Sequence, residues 1–294
     1  EMCIRDRYIG VKGDKIIKKY QHRIPRKSEG YFLKIEKDCI VIAGADERGA
    51  YYGVQTLAQL LALDKLPLAE VTDYPDVPYR GVVEGFYGAP WSQEACIRQL
   101  DFYGRNKMNV YIYGPKDDPY HRTPNWRKPY PAREGEELKV LVNRAKENNV
   151  IFYWAIHPGQ DIRWNEEDRS LLLQKFESMY QLGVRGFAVF FDDISGEGTK
   201  ADKQAELLNY IDDHFVKVKR DVAPLILCPT EYNKSWTDVE GGYLTTLGDK
   251  LNEGIKVMWT GDMVVATIDK STLDFVNPLL KRKAYIWWNF PVSD

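Results

Sequence analysis

The sequence lacks several features that would assign it to a class of protein at once. It has 294 residues and a net charge of −2, and no cluster of Lys and Arg suggests a nucleic-acid-binding surface. No apolar run approaches the roughly 20 residues that span a bilayer, so we expect no membrane insertion. The four cysteines are scattered without a CxxC spacing, which argues against a zinc or redox motif. The composition, 44% hydrophobic and 29% charged, is typical of a soluble globular protein with one large domain or two.

The first part of the chain, residues 1–72, has the pattern of a small α/β domain. Residues 31–44 alternate as two short strands joined by a turn. Asp46 then precedes a run with apolar residues at helical spacing, and is a plausible helix N-cap. The proline-containing segment 71–81 is expected to form the linker to a second domain, residues 79–294.

In the second domain, strand-like apolar runs alternate with helical stretches. The runs are RGVVEGF (80–86), MNVYIYGP (108–115), NVIFYWAIHP (149–158), RGFAVFFDD (185–193), PLILCPT (224–230), IKVMWTG (255–261) and KAYIWWNF (283–290). This alternation predicts an α/β fold with a parallel sheet buried on both faces. Because no Gly-rich dinucleotide turn occurs, seven strands favour a (β/α)8 TIM barrel over a doubly wound sheet. The sequence stops soon after the seventh run, so we expect a C-terminally truncated barrel that lacks its last strand.

Polar residues or glycines follow almost every run. The active site of a TIM barrel is formed at the C-terminal ends of its strands, so the pattern indicates a site for a polar ligand. Asp192 and Asp193 lie side by side at the end of the fourth run. Neighbours on a strand point to opposite faces, but the break after Asp193 lets both turn to the mouth of the barrel. We expect their proximity to raise the pKa of one carboxyl, which gives one proton donor and one anion.

Paired carboxyl groups of this kind catalyse glycoside hydrolysis. In the usual retaining mechanism the two groups flank the scissile bond at about 5–5.5 Å from each other, which adjacent residues on one strand fit poorly. Adjacent residues fit better when the substrate supplies the nucleophile itself. A 2-acetamido group does so, because its carbonyl oxygen attacks the anomeric carbon and forms an oxazoline. One carboxylate then orients the acetamide N–H, and the other carboxyl protonates the leaving oxygen.

The residues alone leave other interpretations open. The aspartate pair is also compatible with a loop cap, or with a Mg²⁺ site completed by Glu197 and Asp262. Lys116 is compatible with a surface ion pair to the aspartates that follow it. Gly85 is compatible with relief of crowding at the strand end, and His157 is interpreted as a buried, hydrogen-bonded structural histidine.

Seven long motifs in the second domain resemble one known family. Without a break from Arg80 to Asp294 the chain is similar to the catalytic domain of family 84 glycoside hydrolases, the β-N-acetylglucosaminidases that include the O-GlcNAcases, and most of all to bacterial members. The motifs are RGVVEGFYGAPWS, YIYGPKDDPYH, WAIHPGQDI, FAVFFDDISGEG, CPTEYNKSW, MWTGD and YIWWNFPVSD. The small α/β unit before them also resembles the N-terminal domain of bacterial members.

The resemblance implies retaining, substrate-assisted hydrolysis of terminal β-linked GlcNAc by an exo-acting enzyme, with no metal and no other cofactor. It implies that Asp192 polarises the acetamide and that Asp193 is the general acid and base. The implied substrate-binding residues are Gly85 through its backbone, Lys116, Tyr232, Thr260, Val264, Trp287, Asn289 and Asp294. A further pocket asparagine of the family would come from sequence beyond Asp294.

The implied partner is a GlcNAc-containing glycan or glycoprotein, and neither nucleic acid nor an oligomeric state is indicated. Export to the periplasm or the extracellular space is expected from the bacterial relatives, although the opening residues EMCIRDRYIG contain no apolar signal core. A non-catalytic GlcNAc-binding module and an inactive fragment of such an enzyme are the alternatives. The aspartate pair argues against a pure binder, which has no use for an acid.

Overall fold

The computed structural model describes residues 6–287 as a mixed α/β protein with two separate sheets, one of four strands and one of seven. Its contacts divide the chain into two compact units. Within the described residues, the first consists of 6–81, 95–110 and 144–150, and the second of 82–94, 111–143 and 151–287.

The smaller sheet has the strand order β1-β3-β2-β4. Its strands are β1 (Asp6–Val11), β2 (Tyr31–Ile35), β3 (Cys39–Gly44) and β4 (Ala69–Asp73). Strand β2 is antiparallel to β3 and β4, while β1 is parallel to β3, so the predicted pair of strands within residues 31–44 is confirmed. The prediction that residue 71 begins a linker is wrong, because residues 71–73 pair with β2. The first proline of the segment 71–81 is Pro75.

Each face of the smaller sheet is covered by a helix. Helix α1 (Glu47–Leu61) packs on the face that carries Leu33, and a 3₁₀ helix (Lys15–Arg23) lies on the face that carries Phe32. The alternation follows from the two-residue period of a strand. The predicted N-cap is confirmed, since the Asp46 side chain accepts a 2.9 Å hydrogen bond from the main-chain nitrogen three residues later.

The larger sheet is parallel and curled, and its seven strands follow one another in chain order. They are β5 (Gly81–Glu84), β6 (Val110–Tyr113), β7 (Ile151–Ile156), β8 (Gly186–Phe190), β9 (Ile226–Cys228), β10 (Lys256–Trp259) and β11 (Tyr285–Ile286). Each of the seven predicted apolar runs contains one of these strands, so the expectation of a parallel sheet is confirmed.

A helix lies between each two consecutive strands of this sheet, which confirms the alternation that the sequence predicts. They are α2 (Gln93–Arg105), α3 (Ala132–Glu147), α4 (Glu166–Gln181), α5 (Ala201–Ile211), α6 (Tyr243–Lys250) and α7 (Lys270–Leu280). A π-helical turn (Asp212–Val216) continues α5. Over residues 6–287, no helix is both long enough and apolar enough to cross a membrane.

Strand β8 delivers the aspartate pair, and it is buried along its whole length. The Phe187 ring packs against Phe176 at 4.7 Å and against Phe215 at 4.9 Å between centroids. A strand covered on both faces has little freedom to shift, because the core packs as densely as an organic crystal. The residues that follow β8 therefore leave the sheet from a fixed point.

Candidate active site

Strand β8 ends at Phe190, and Asp192 and Asp193 follow one residue later, in a turn rather than in the strand. Asp193 has a φ of +52°, in the left-handed region that residues other than glycine rarely adopt. This backbone conformation breaks the strand alternation, so the two neighbouring side chains are not forced to opposite faces. Asp192 is buried and Asp193 is exposed.

Asp192 is held by a lysine and a histidine from two other strand ends. Lys116 Nζ donates to Asp192 Oδ2 at 2.7 Å, and both side chains are at least nine-tenths buried. His157 Nε2 donates to the main-chain oxygen of Asp192 at 2.8 Å. Burial raises the pKa of the Asp192 carboxyl, but His157 and Lys116 lower it by more. The pKa of Asp192 is therefore well below its usual range. The expected rise in pKa does not occur at Asp192, which is therefore an anion at neutral pH.

The other carboxylate oxygen of Asp192 lacks a hydrogen-bond donor among the described residues. His157 Nε2 lies 3.5 Å from this Oδ1, but that nitrogen already donates to the main chain. A buried charged acceptor without a donor is costly. Asp192 Oδ1 is thus suited to accept an N–H from a ligand.

Asp193 is oriented by two tyrosine hydroxyls. Tyr232 Oη donates to Oδ1 at 3.1 Å, and Tyr87 Oη donates to Oδ2 at 3.3 Å. Burial and the neighbouring Asp193 raise the pKa of Tyr232, so its hydroxyl stays protonated and remains a donor. Because Asp193 itself is exposed, its carboxyl is accessible to solvent and to a ligand.

Lys116 does not form the surface ion pair that the sequence left open. Its ammonium group pairs with Asp192 instead of the adjacent aspartates, and its pKa is raised because the attraction of Asp192 outweighs burial, which lowers it. Asp118 accepts hydrogen bonds from Tyr113 and Tyr130 at 3.0 and 2.7 Å, so it has a structural role. That alternative for Lys116 is wrong.

Two residues near the pair were not singled out from the sequence. The Tyr87 ring lies 5.3 Å from Lys116 Nζ, besides its contact with Asp193. His121 is buried and its Nε2 donates to the main-chain oxygen of Pro115 at 2.7 Å, which fixes the residue before Lys116; burial lowers the pKa of His121 to about 4. Both belong to the motifs already quoted, but no local pattern distinguishes them from structural residues.

His157 is buried and hydrogen-bonded, as predicted. Its main-chain nitrogen donates to the His121 oxygen at 2.7 Å, which ties the segment after β7 to the segment after β6. His121 thus holds the main chain next to Lys116, and His157 holds the main chain of Asp192, so the two histidines position the ion pair.

Two further predicted residues, Trp287 and Thr260, lie close to Tyr232. The Trp287 ring lies 5.6 Å from the Tyr232 ring, and Trp236 packs on the same ring at 4.9 Å. The main-chain nitrogen of Thr260 donates to the Tyr232 oxygen at 2.9 Å, and its hydroxyl lies 3.2 Å from the same oxygen and 3.0 Å from the Met263 oxygen. Thr260 thus braces the residue that orients Asp193.

Gly85 follows β5, and its surroundings do not require a glycine. A Cβ at this position would meet Val83 Cγ1 at 3.5 Å and the Gly114 oxygen at 3.8 Å, which are ordinary contacts. Relief of crowding therefore does not explain Gly85. Val264 is half-buried in the segment after β10, and Asn289 and Asp294 lie outside the described residues.

The acidic residues are not arranged as a metal site. Glu197 pairs with Lys200 at 2.7 Å instead of joining the aspartates. Among residues 6–287, no three His, Cys, Asp or Glu side chains are grouped so as to hold a metal ion.

Comparison with known proteins finds, over most of the chain, the family that the sequence motifs indicate. The profile described as beta-N-acetylglucosaminidase matches residues 80–294, and that described as glycosyl hydrolase family 20, domain 2, matches residues 14–74. The protein O-GlcNAcase of Rattus norvegicus is 36% identical over 224 residues, which is 73% of this chain and 24% of that protein.

Two solved structures extend the comparison to the fold. CpGH84B is 43% identical, with a TM-score of 0.86 over 90% of this chain and 48% of that one. A mutant of the Thermobaculum terrenum O-GlcNAc hydrolase is 33% identical, with a TM-score of 0.68 over 74% of this chain and 48% of that one.

The chain spans about a quarter of the length of the rat relative and about half of these two structures. The match over residues 80–294 covers well over half of the sequence, so the family indicated by its motifs is confirmed. The chain belongs to the β-N-acetylglucosaminidase family, family 84 of the glycoside hydrolases.

Proposed function

We propose that the complete protein is a retaining exo-β-N-acetylglucosaminidase of the O-GlcNAcase type. It hydrolyses terminal β-linked GlcNAc by substrate-assisted catalysis through an oxazoline intermediate. Family membership and the names of the rat and Thermobaculum terrenum relatives support the proposal. Because the chain is only part of the length of these relatives, the activity is assigned to the complete protein.

The observation that carries the proposal is the buried, ionised Asp192 with an unpaired Oδ1. In the first step the acetamide oxygen forms a bond to the anomeric carbon while the bond to the aglycone oxygen breaks. Asp192 Oδ1 accepts the acetamide proton, so the product is a neutral oxazoline. An anion is needed for this role, and the Lys116 ammonium keeps the carboxylate charged.

Asp193 is proposed as the general acid and then the general base. It gives a proton to the departing aglycone oxygen in the first step. In the second step it takes a proton from water, whose oxygen attacks the anomeric carbon and opens the oxazoline, while Asp192 returns the proton to nitrogen. The exposure of Asp193 and its orientation by Tyr232 and Tyr87 support this assignment.

The remaining residues are proposed to bind the sugar. Lys116 has two further N–H groups beyond the one donated to Asp192, and we assign them to sugar hydroxyls. The other proposed contacts are the backbone of Gly85, the hydroxyl of Tyr232, the acetyl pocket around Thr260, Val264 and Trp287, and the hydroxyl-binding Asn289 and Asp294.

We also propose that residues 79–294 form part of a (β/α)8 barrel and that residues 1–72 form a separate small domain. Seven consecutive parallel strands with intervening helices support the barrel, as does the likeness to CpGH84B. The proposed substrate is a GlcNAc-containing glycan or glycoprotein, with no cofactor and no nucleic-acid partner. Export from the cell is proposed on the resemblance to bacterial members alone, and cell fractionation tests it.

The proposal is tested with the full-length protein and a pair of chromogenic substrates. We expect the β-N-acetylglucosaminide to be hydrolysed with retention and the matching β-glucoside to be almost inert, because the glucoside has no acetamide nucleophile. Comparable rates on both would contradict substrate assistance. Saturable GlcNAc binding without product would favour the binding-module alternative.

The acid role is tested by Asp193→Asn. We expect a large loss of kcat/KM on substrates with poor leaving groups and a smaller loss on a nitrophenyl leaving group, which departs without protonation. Asp202→Asn, an exposed residue in the first turn of α5, is the control and should retain full activity. Equal losses on both substrates would contradict the role of Asp193.

A further inference from the structure

The segment after β8 that carries both aspartates, residues 192–198, forms what we call the acid loop. We propose that Gln204, Thr230 and Tyr243 are positioning residues that fix both ends of the acid loop, and through it Asp192 and Asp193. None of the three is needed as a contact for the substrate. The inference rests on the proposed function, because it concerns the geometry of the same two carboxyl groups.

The beginning of the acid loop is fixed from β9. The hydroxyl of Thr230, two residues after β9, donates to the main-chain oxygen of Phe191 at 2.9 Å. Phe191 also donates its main-chain nitrogen to the Cys228 oxygen at 2.9 Å, which extends the pairing of β8 and β9. Asp192 therefore begins directly after a residue whose main-chain nitrogen and oxygen are both bonded to residues 228–230.

The end of the acid loop is fixed from α5. Gln204 is fully buried, and its Nε2 donates to the main-chain oxygen of Gly198 at 2.8 Å and to the Thr230 hydroxyl at 2.9 Å. One amide group thus connects the last residue of the loop to the side chain that holds its beginning. A shift of either end would break one of these bonds.

Tyr243, the first residue of α6, closes the network. Its hydroxyl donates to Gln204 Oε1 and accepts from the main-chain nitrogen of Thr230 at 2.8 Å. These bonds define the orientation of the Gln204 amide. Its oxygen faces the Tyr243 hydroxyl and its nitrogen faces the Gly198 carbonyl, and a flipped amide would place two acceptors against each other. Burial raises the pKa of the Tyr243 hydroxyl, which keeps it a donor.

The acid loop needs such support because its geometry is demanding. Asp193 lies in the left-handed region at a φ of +52°, a conformation that costs free energy for a residue with a Cβ and persists only when its surroundings enforce it. Gly198 is also tightly packed, since a Cβ there would lie 2.0 Å from the Gly159 oxygen. A fully satisfied buried network is the means by which such a conformation is kept unique.

The test uses the full-length protein and Tyr243→Phe, which keeps the ring but removes the hydroxyl. We expect kcat on an N-acetylglucosaminide with a poor leaving group to fall by about 10²-fold, the loss that a displacement of about 1 Å produces. The loss on a nitrophenyl leaving group should be smaller, because a displaced Asp193 matters less there, and KM should change little. Gln204→Met should give the same pattern, and the double variant should lose no more than either single one.

The matched control is Tyr153→Phe. Tyr153 is fully buried, and its hydroxyl donates to the Pro224 oxygen at 3.1 Å, at the opposite end of β9. It should lower the melting temperature to a similar extent and leave kcat unchanged well below that temperature. The inference is overturned if Tyr243→Phe and Gln204→Met lose no more kcat than this control, or lose it equally on both leaving groups. An inactive wild type would overturn both the proposed function and this inference, whereas an active wild type with unaffected variants would overturn the inference alone.

Discussion

Lys116 and Asp192 form a buried ion pair, and each keeps the other charged. The pKa of Asp192 is lowered despite burial, and the pKa of Lys116 is raised despite burial. A group with a lowered folded-state pKa stabilises the fold above its unfolded pKa of about 3.9, and the stabilisation is lost as the pH falls through the folded-state value. At neutral pH the pair therefore contributes fully both to the fold and to the charge that the proposed mechanism needs.

Replacing the lysine tests this dependence. In Lys116→Met we expect the pKa of Asp192 to rise, because burial then acts without the opposing ammonium group. The acid limb of the kcat/KM profile should move to higher pH by about one unit or more, each unit being about 1.4 kcal/mol. The free energy of unfolding at pH 7 should fall by about 3–5 kcal/mol, as is usual when one partner of a buried pair is removed. Activity as a function of pH and chemical denaturation measure the two effects.

Lys175→Met is the matched control for that variant. Lys175 is also buried, but its ammonium group donates to the Lys128 oxygen and faces the Tyr130 ring rather than Asp192. We expect it to change stability without moving the acid limb. If Lys116→Met leaves the acid limb in place, Lys116 does not set the charge of Asp192.

A substitution of Gly85 should affect substrate binding rather than stability, because the protein itself has room for a side chain there. In Gly85→Ala we expect the free energy of unfolding to stay within about 0.5 kcal/mol of the wild type, as for other substitutions that create no clash. If the sugar approaches the backbone at this point, the added methyl should weaken substrate binding by about 1–3 kcal/mol, seen as a higher KM.

Gly81→Ala is the contrast for Gly85→Ala. A Cβ at Gly81 would lie 1.7 Å from the Val110 oxygen. This clash with the main chain should strongly destabilise the variant. Circular dichroism melting and steady-state kinetics on the full-length protein compare the two. An unchanged KM for Gly85→Ala would remove Gly85 from the proposed binding site.

At the scale of residues, the sequence predicts where the aspartate pair lies, near the end of a buried strand, but not the residues that support it. Adjacent carboxyl groups at a strand end are visible in the chain itself, whereas the Tyr87 contact to Asp193 joins residues 106 positions apart. The lowered pKa of Asp192 also depends on His157 and Lys116, which no local pattern connects with it. Such contacts become predictable only when the strand ends are known to meet.

At the scale of elements, the strand predictions of the second domain are confirmed, and they rest on continuous apolar runs. The run 185–193 contains β8, and its apolar residues are buried on both faces as a parallel strand requires. The sequence assigns part of β4 to a linker because prolines follow it, and in the structure the residues of β4 alternate between half-buried and exposed. Its pairing with β2 outweighs that local signal.

The turn after β8 shows the limit of element prediction in another way. The sequence predicts a break after Asp193, which is wrong: β8 already ends at Phe190, and Asp193 itself adopts a left-handed conformation in the turn. That conformation is compatible with the hydrogen bonds at both ends of the acid loop, which come from α5, α6 and the segment after β9. The loop's geometry thus depends on its neighbours as well as on its own residues, such as the tightly packed Gly198.

At the scale of the whole molecule, sequence patterns divide the chain into consecutive stretches, whereas contacts do not. The first compact unit combines residues 6–81 with residues 95–110 and 144–150. Within it, Asn109 Nδ2 donates to Glu29 Oε1 at 3.0 Å, and Lys107 Nζ donates to the Tyr31 hydroxyl at 2.7 Å. The proposed boundary between residues 72 and 79 separates these partners in sequence.

Deletion of residues 1–72 from the full-length protein tests that boundary. We expect the truncated protein to melt at a lower temperature, because buried Asn109 loses one acceptor and Lys107 loses the Tyr31 hydroxyl. An unsatisfied buried donor costs about 1–3 kcal/mol, and each kcal/mol corresponds to about 2–4 °C in a chain of this size. Differential scanning calorimetry of both proteins measures the shift.

Glu29→Ala in the intact protein separates the lost contact from the lost domain. Glu29 also pairs with Arg48 at 3.3 Å and with Arg80 at 2.9 Å, so its removal leaves two guanidinium groups and Asn109 without their shared acceptor. If residues 1–72 stabilise the rest of the chain through this cluster, Glu29→Ala should reproduce much of the shift caused by the deletion. A deletion that leaves the melting temperature of the remaining chain unchanged would instead show that residues 1–72 fold and unfold on their own.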